Sequence, residues 1–418
     1  MNEIIVLDNG IRISYANIPY THTVSMGCFF GAGSRYETQN NNGISHFIEH
    51  MVFKGTKKRT AFDLVCDVDN LGANMNAYTG KESTCYYIQG LSEQFETCME
   101  ILSDMVCNHT FPEDEMEKEK EVVIEEIKMC EDTPDDLCHE LASKAYWGND
   151  SLSMPILGTA EKVRSFTRKD LIDYERSRYV ASNTVISIAG NVTRDEAVEV
   201  VKKYFGDFRT GKVEDKFEKT EKAAPTVVTS IKPNEQANVC LTFDGVSASD
   251  KDKDAVGVLC TCFGGNMSSV LFHRLREEMS LAYNVFAYAS KYSDKGALSI
   301  YIGTSPQKVK TAIVEIKKII DEYIEKGFSE DEFVRGVNQM KSAYVMGLET
   351  STSLMRVYAD RLLLDNKPFD VDAQLKLLDE ITLDDLNRVF KKCFSVVPTI
   401  GYVGTEQDFD MQQIFEGK

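Results

Sequence analysis

Three short segments of this 418-residue chain recur, in the same order, a little over two hundred residues later. Phe111-Pro112-Glu113-Asp114-Glu115 returns as Phe328-Ser329-Glu330-Asp331-Glu332, an offset of 217. Phe166-Thr167-Arg168-Lys169-Asp170-Leu171 returns as Ile381-Thr382-Leu383-Asp384-Asp385-Leu386, and Ile188-Ala189-Gly190 as Tyr402-Val403-Gly404, at offsets of 215 and 214. A period this long is no solenoid repeat. It points to two copies of one domain design, each of about 200 residues and large enough for its own core. The sequence division is an N-terminal domain over 1–210, a linker over 211–224 and a C-terminal domain over 225–418. Within that linker Thr210-Gly211-Lys212 leads through a Lys/Glu-rich run to Ala223-Ala224-Pro225.

Short β-rich runs at 3–7, 11–16, 23–30, 84–90, 184–189, 238–243 and 297–302 alternate with longer amphipathic stretches. Helical periodicity runs through 93–107 then 112–130, and again through 307–326 then 330–348. That mixture predicts α+β, two homologous domains, each an antiparallel sheet carrying helices on one face. A net charge of −19 argues against a nucleic-acid partner. No apolar run reaches the 18 or so residues of a membrane span and no signal peptide precedes the first strand, so the expectation is a cytoplasmic protein without a membrane partner. Eleven cysteines, with no C-x-x-C pair, read as free thiols. Cys260-Thr261-Cys262 and Cys138-His139 lack partners at ligand spacing.

His46-Phe47-Ile48-Glu49-His50 is where chemistry enters. Two histidines four apart on a helix project from one side and can hold one metal ion, with Glu49 beside them where an activated water would sit. At about 100° per residue, Ile44, Phe47, Ile48, Met51 and Val52 fall in one apolar arc and His46, Glu49 and His50 opposite. Asn42 and Ser45 are candidate helix starts and Gly55 a candidate stop. The alternative is an ordinary solvated face, but the chain has only six histidines, and two of them frame this glutamate. At an offset of 210, His46, Glu49 and His50 face Val256, Leu259 and Cys260, so only the first half can hold the metal.

A third ligand is expected from the helix that opens at Phe111-Pro112-Glu113. Pro112 suits a first turn, and the acidic residues after it complement the helix dipole. Glu119 and Glu126, seven apart, share one face about 10 Å from each other. A carboxylate completing two imidazoles leaves a tetrahedral position open for water, the arrangement of a catalytic zinc. Helical geometry alone does not choose Glu126 over Glu125 or Glu121.

The spacing His46 to His50, Glu119 and Glu126 resembles the pitrilysin/insulinase superfamily of zinc peptidases, with the pattern of the mitochondrial processing peptidase β subunit and its half-length bacterial relatives. Gly43, Phe53-Lys54-Gly55-Thr56, Asn76-Ala77-Tyr78-Thr79, Glu82, Thr84 and Tyr86-Tyr87 extend the likeness. In the second half Ser268-Ser269, Leu271-Phe272, Leu275-Arg276 and Leu281-Ala282-Tyr283 do so, with Ser280 standing where many relatives have glycine. The resemblance implies that His46, His50 and Glu126 bind one zinc per chain, that Glu49 is the general base, and that Glu119 supports the site. It also implies that Arg276 and Tyr283 contact substrate and the reacting carbonyl, and that Asn76-Ala77 lies on an edge strand to which extended peptide adds.

The implied reaction is peptide hydrolysis, Glu49 taking a proton from zinc-activated water while Tyr283 and the metal stabilise the oxyanion. Backbone pairing with an edge strand would give loose sequence preference for extended peptides. In the family the site lies inside a chamber of two two-domain halves. This chain supplies one half, so the expected partners are peptide substrates and a second copy in a homodimer, a heterodimer with a relative being the alternative. Some relatives are structural or inactive subunits with eroded zinc motifs, whereas His46, Glu49, His50 and Glu126 are all present here.

Overall fold

The computed structural model describes residues 2–213, 220, 222–233 and 235–416, which form two compact units. The expected linker residues 214–219 and 221 lie outside the described residues. The first unit comprises Met1–Lys128, Met154–Glu218 and Gly347–Asp370, and the second Met129–Ser153, Lys219–Met346 and Val371–Lys418. The first holds six strands, β1 (Glu3–Val6), β2 (Arg12–Asn17), β3 (Thr23–Phe30), β4 (Asn74–Thr79), β5 (Thr84–Leu91) and β6 (Thr184–Gly190), in the order β1-β2-β6-β3-β5-β4. The second holds β7 (Val227–Ile231), β8 (Ala237–Asp244), β9 (Asn284–Lys291), β10 (Gly296–Thr304) and β11 (Thr399–Gly404), in the order β7-β11-β8-β10-β9.

The orders β2-β6-β3-β5-β4 and β7-β11-β8-β10-β9 are one topology used twice. Each sheet has a single parallel pair at the same place, β2 with β6 and β7 with β11, and is otherwise antiparallel. The repeated segments take equivalent places. Ile188–Gly190 ends β6 and Tyr402–Gly404 ends β11. Thr167 with Asp170 and Thr382 with Asp385 each form a capping box, satisfying free N–H groups at a helix start.

Strand β3 explains how the first unit is layered. Val24, Met26 and Cys28 alternate toward one face and join the core built with Cys98, Met99 and Leu102 of the Phe95–Asn108 helix. Ser25 lies on the other face, where the helix Ser351–Leu364 crosses: Ser25 Oγ is 2.8 Å from Ser351 Oγ, and Ser187 Oγ donates to the Met355 carbonyl at 2.8 Å. The α+β design with helices on one face therefore carries one further helix on the opposite face. In the second unit the helix Pro134–Trp147 has that position over β11 and β8. Cys138 Sγ lies 3.4 Å from the Gly401 carbonyl, and a Cβ on Gly401 would sit 2.6 Å from the Cys138 carbonyl oxygen. Each compact unit thus takes one helix from the opposite half of the chain, an exchange absent from the sequence division at 211–224.

Candidate metal centre

The motif helix runs over Ile44–Val52, with Ile44, Phe47, Ile48, Met51 and Val52 at most 1% exposed. Its apolar arc is the one periodicity predicts. Its start is built differently. Neither Asn42 nor Ser45 caps it; Glu37, buried seven residues before Ile44, accepts from Gly43 N at 2.7 Å, Ser45 N at 2.8 Å and Asn42 Nδ2 at 2.9 Å. Burial raises the Glu37 pKa, and those backbone donors partly offset it. Gly43 sits at φ +94°, and a Cβ there would lie 2.6 Å from the Leu157 carbonyl oxygen, so only glycine suits this corner. The helix stops at Val52, before Gly55.

Glu126 reaches the histidines from the helix Glu113–Asp132. The start of that helix is fixed by Phe111, buried at φ +48°, whose carbonyl accepts from Arg168 Nε at 3.0 Å while Arg168 Nη2 holds the Thr110 carbonyl at 2.9 Å. Met116, Val123, Ile124 and Ile127 pack inward, and this sets the rotation of the helix. Glu121 and Glu125 are left exposed, and Glu126 turns to the imidazoles.

Among the described residues, His46, His50 and Glu126 form the one group of three metal-binding side chains, with a donor atom of each within 4.8 Å of the others. Glu126 Oε2 is 3.7 Å from His46 Nε2 and 3.5 Å from His50 Nε2. Both separations are too long for good hydrogen bonds. The edge of a tetrahedron with bonds of about 2.0–2.2 Å to a central zinc is roughly 3.3–3.6 Å, so the His50 separation falls within it and the His46 separation just above it. Donor chemistry and spacing therefore fit zinc.

The surroundings act differently on the two imidazoles. His50 Nδ1 is 2.8 Å from Glu119 Oε1, which fixes the ring and leaves Nε2 toward Glu126. Lys54 Nζ ion-pairs with the other Glu119 oxygen. Burial works against the charged form of His50, but the Glu119 hydrogen bond and the charges of Glu119, Glu126 and Glu49 outweigh it and raise its pKa. Burial would likewise raise Glu119, yet hydrogen bonds from His50 and Lys54 hold it below the usual range. His46 is pushed down to about 3 by burial and by His50, so its ring is neutral, as a metal donor must be. Its Nδ1 is buried without a hydrogen-bond partner among the described residues. Glu49 accepts from Thr79 Oγ1 at 2.5 Å, and burial raises its pKa against that bond.

Thr79 ends β4, the outermost strand of its sheet, and this strand also carries Asn76 and Ala77. Asn76 is exposed, and its Oδ1 accepts from Ala77 N at 2.8 Å. Arg276 and Tyr283 belong to the second unit. Arg276 lies on a π-helical turn over Phe272–Glu278, its guanidinium 4.8 Å from the Phe272 ring centre. Tyr283 is 66% exposed and its N donates to the Gly303 carbonyl at 2.8 Å. Between them Ser280 adopts φ +51°, and Lys308 Nζ donates to its carbonyl at 2.8 Å. Roles for Glu37, Lys54 and Thr79 escape sequence reasoning, although Lys54 and Thr79 stand inside the quoted motifs. All eleven cysteines are free, and no described helix is long and apolar enough to cross a membrane.

Residues 12–160 match the insulinase family, peptidase family M16, and residues 165–340 match the peptidase M16 inactive domain. The chain is 39% identical over 392 residues to YmxG of Bacillus subtilis, named an uncharacterized zinc protease, covering 93% of this chain and 94% of that one. It is 32% identical over 411 residues to the Streptomyces coelicolor uncharacterized zinc protease SCO5738, covering 96% and 89%. Among solved structures it superposes on a peptidase M16 inactive domain from Pseudomonas fluorescens at a TM-score of 0.90 and 17% identity, covering 98% and 99%. A protease from Helicobacter pylori follows at 0.87 and 21%, covering 97% and 99%. At these identities the two structures speak for the fold.

Proposed function

The chain belongs to the insulinase family of peptidases, family M16, and from that premise we propose that it is a zinc-dependent endopeptidase acting on extended peptides. The observation that carries this reading is the trio His46, His50 and Glu126, a donor atom of each within 4.8 Å of the others, with the Glu49 carboxylate on the same helix as the two histidines. One zinc per chain would be held by these three residues. Bound there, it supplies Lewis acidity, acidifying water and polarising a peptide carbonyl.

The rest of the chemistry falls to the chain's own groups. Glu49 takes the proton of the attacking water on its carboxylate and hands it to the leaving amine. Thr79 holds that carboxylate in place through its 2.5 Å hydrogen bond. Glu119 keeps His50 in the tautomer that presents Nε2. An extended peptide adds to the open side of β4, exchanging the Asn76–Ala77 contact for its own backbone pairing. Tyr283 and Arg276, from the half without metal ligands, are assigned to the developing oxyanion and to substrate. Two copies of the chain close a chamber around the site.

The reading is tested by loading purified protein with zinc, offering it a mixed peptide library and identifying products by mass spectrometry. Internal cleavage that stops with a chelator and returns with zinc is expected. Zinc-loaded protein that cuts nothing would leave a binding or structural role instead.

A further inference from the structure

Consecutive residues of a strand point to opposite faces, so the partner face of the Thr79 position belongs to Tyr78. Thr79 meets Glu49 on the metal side. Tyr78 meets Arg356, which projects from the Ser351–Leu364 helix crossing the other face. The Arg356 guanidinium lies 5.1 Å from the Tyr78 ring centre and 4.8 Å from that of Tyr87 on β5, and all three side chains are half-buried.

This cation is incompletely satisfied. Among the described residues no carboxylate lies within 4.0 Å of Arg356, although ion pairs of that length are common elsewhere in the molecule. Its Nε is buried and makes no hydrogen bond among the described residues. Asp360, one turn along the same helix, feels the charge of Arg356, which works against the rise that burial gives its carboxyl, but it makes no ion pair with the guanidinium within 4.0 Å. Two tyrosine rings flank the guanidinium, and among the described residues no carboxylate reaches its fork of donors directly.

The place where an anion would arrive is defined by the sheet. β4 is the outermost strand, so a peptide added to it would run about 4.8 Å from β4 with its own side chains alternating between faces. Those on the metal side approach Glu49; those on the other lie beside Tyr78, within reach of Arg356. At roughly 3.3 Å per residue, the step from Thr79 to Tyr78 puts this contact within about two residues of the bond being cut.

We infer that Arg356, bracketed by Tyr78 and Tyr87, is a specificity-determining residue that selects an acidic substrate side chain on the face of the bound strand away from the metal. The inference rests on the peptidase reading and on peptide addition at β4. A carboxylate suits the site because guanidinium and carboxylate form paired, parallel hydrogen bonds.

The test compares zinc-loaded wild-type protein with Arg356→Gln and Arg356→Glu on peptides in which each position near the cut site is Glu, Gln or Lys. Wild type should favour Glu over Gln at one position by about ten- to a hundredfold in kcat/KM, mainly through KM, as for a charged hydrogen bond. Arg356→Gln should bring that ratio to about one, and Arg356→Glu should turn the preference toward Lys. Wild type without an acidic preference, or a Glu/Gln ratio that survives in Arg356→Gln, overturns the inference; the second result, with a lowered melting temperature, would mark Arg356 as a packing residue. If wild type cleaves none of the peptides, the peptidase reading alone fails, and the same ratios are read from equilibrium binding to Glu49→Gln protein.

Discussion

Glu125 and Glu126 are the same residue type side by side, and helix rotation gives them different chemistry. Glu125 is exposed and pairs with Lys128 at 2.6 Å, while Glu126 faces both imidazoles. The sequence held a clue to this choice. Met116, Val123 and Ile127 mark the inward stripe, and Glu119 and Glu126 flank it, but the stripe's edge is too broad to separate Glu126 from its neighbours until the partner helix is in place. We expect Glu126→Ala to lose zinc in a metal-content assay and Glu125→Ala to keep it; the reverse pattern would reassign the third ligand. Thr79 follows Asn76-Ala77-Tyr78 in the sequence, but a hydroxyl's partner across 30 residues of chain cannot be read from spacing. Thr79→Val should lower kcat by about tenfold or more at unchanged zinc content, in the range of a hydrogen bond to a charged group. Thr79→Ser, which restores the donor, should recover most of that loss, and equal losses in both variants would deny the hydroxyl this part.

At the scale of elements, the runs most legible in the sequence are those buried on both faces or strongly amphipathic. The stretches at 23–30 and 184–189 emerge as β3 and β6, and those at 112–130 and 330–348 as the helices Glu113–Asp132 and Glu330–Gly347. Hydropathy is less informative at the outer strand β4, where Asn74 and Asn76 are exposed and polar residues interrupt Met75, Ala77 and Tyr78. The turn before Tyr283 carries a residue in a strained conformation. Ser280 holds φ +51°, a conformation that suits glycine and strains serine. Ser280→Gly should therefore raise stability by about 0.5–1 kcal/mol, the relief of strain slightly exceeding the added entropy of the unfolded chain. A higher urea midpoint at constant slope would show it; a lower midpoint would mean that the serine side chain holds the turn.

At the scale of the whole molecule, the repeat located equivalent strands and helix starts, but it could not reveal that each unit borrows a helix. The helices Pro134–Trp147 and Ser351–Leu364 each bury a modest stripe, and an apolar stripe does not say which sheet it will meet. What the halves do together follows from the proposed assembly of two chains. If a chamber closes by homodimerisation and Tyr283 serves the partner's metal site, mixing Glu49→Gln with Tyr283→Phe protein should restore peptide cleavage through composite sites. Mixed dimers seen by native mass spectrometry but without recovered activity would place both groups on one chain. The central claim, a zinc site whose base is Glu49, is tested most directly by measuring zinc content and peptide turnover together in wild type and Glu49→Gln. Near-stoichiometric zinc in both, with turnover in wild type and less than a few per cent of it in Glu49→Gln, is the predicted result. Substantial turnover by Glu49→Gln, or undiminished cleavage by wild type stripped of zinc, would contradict it.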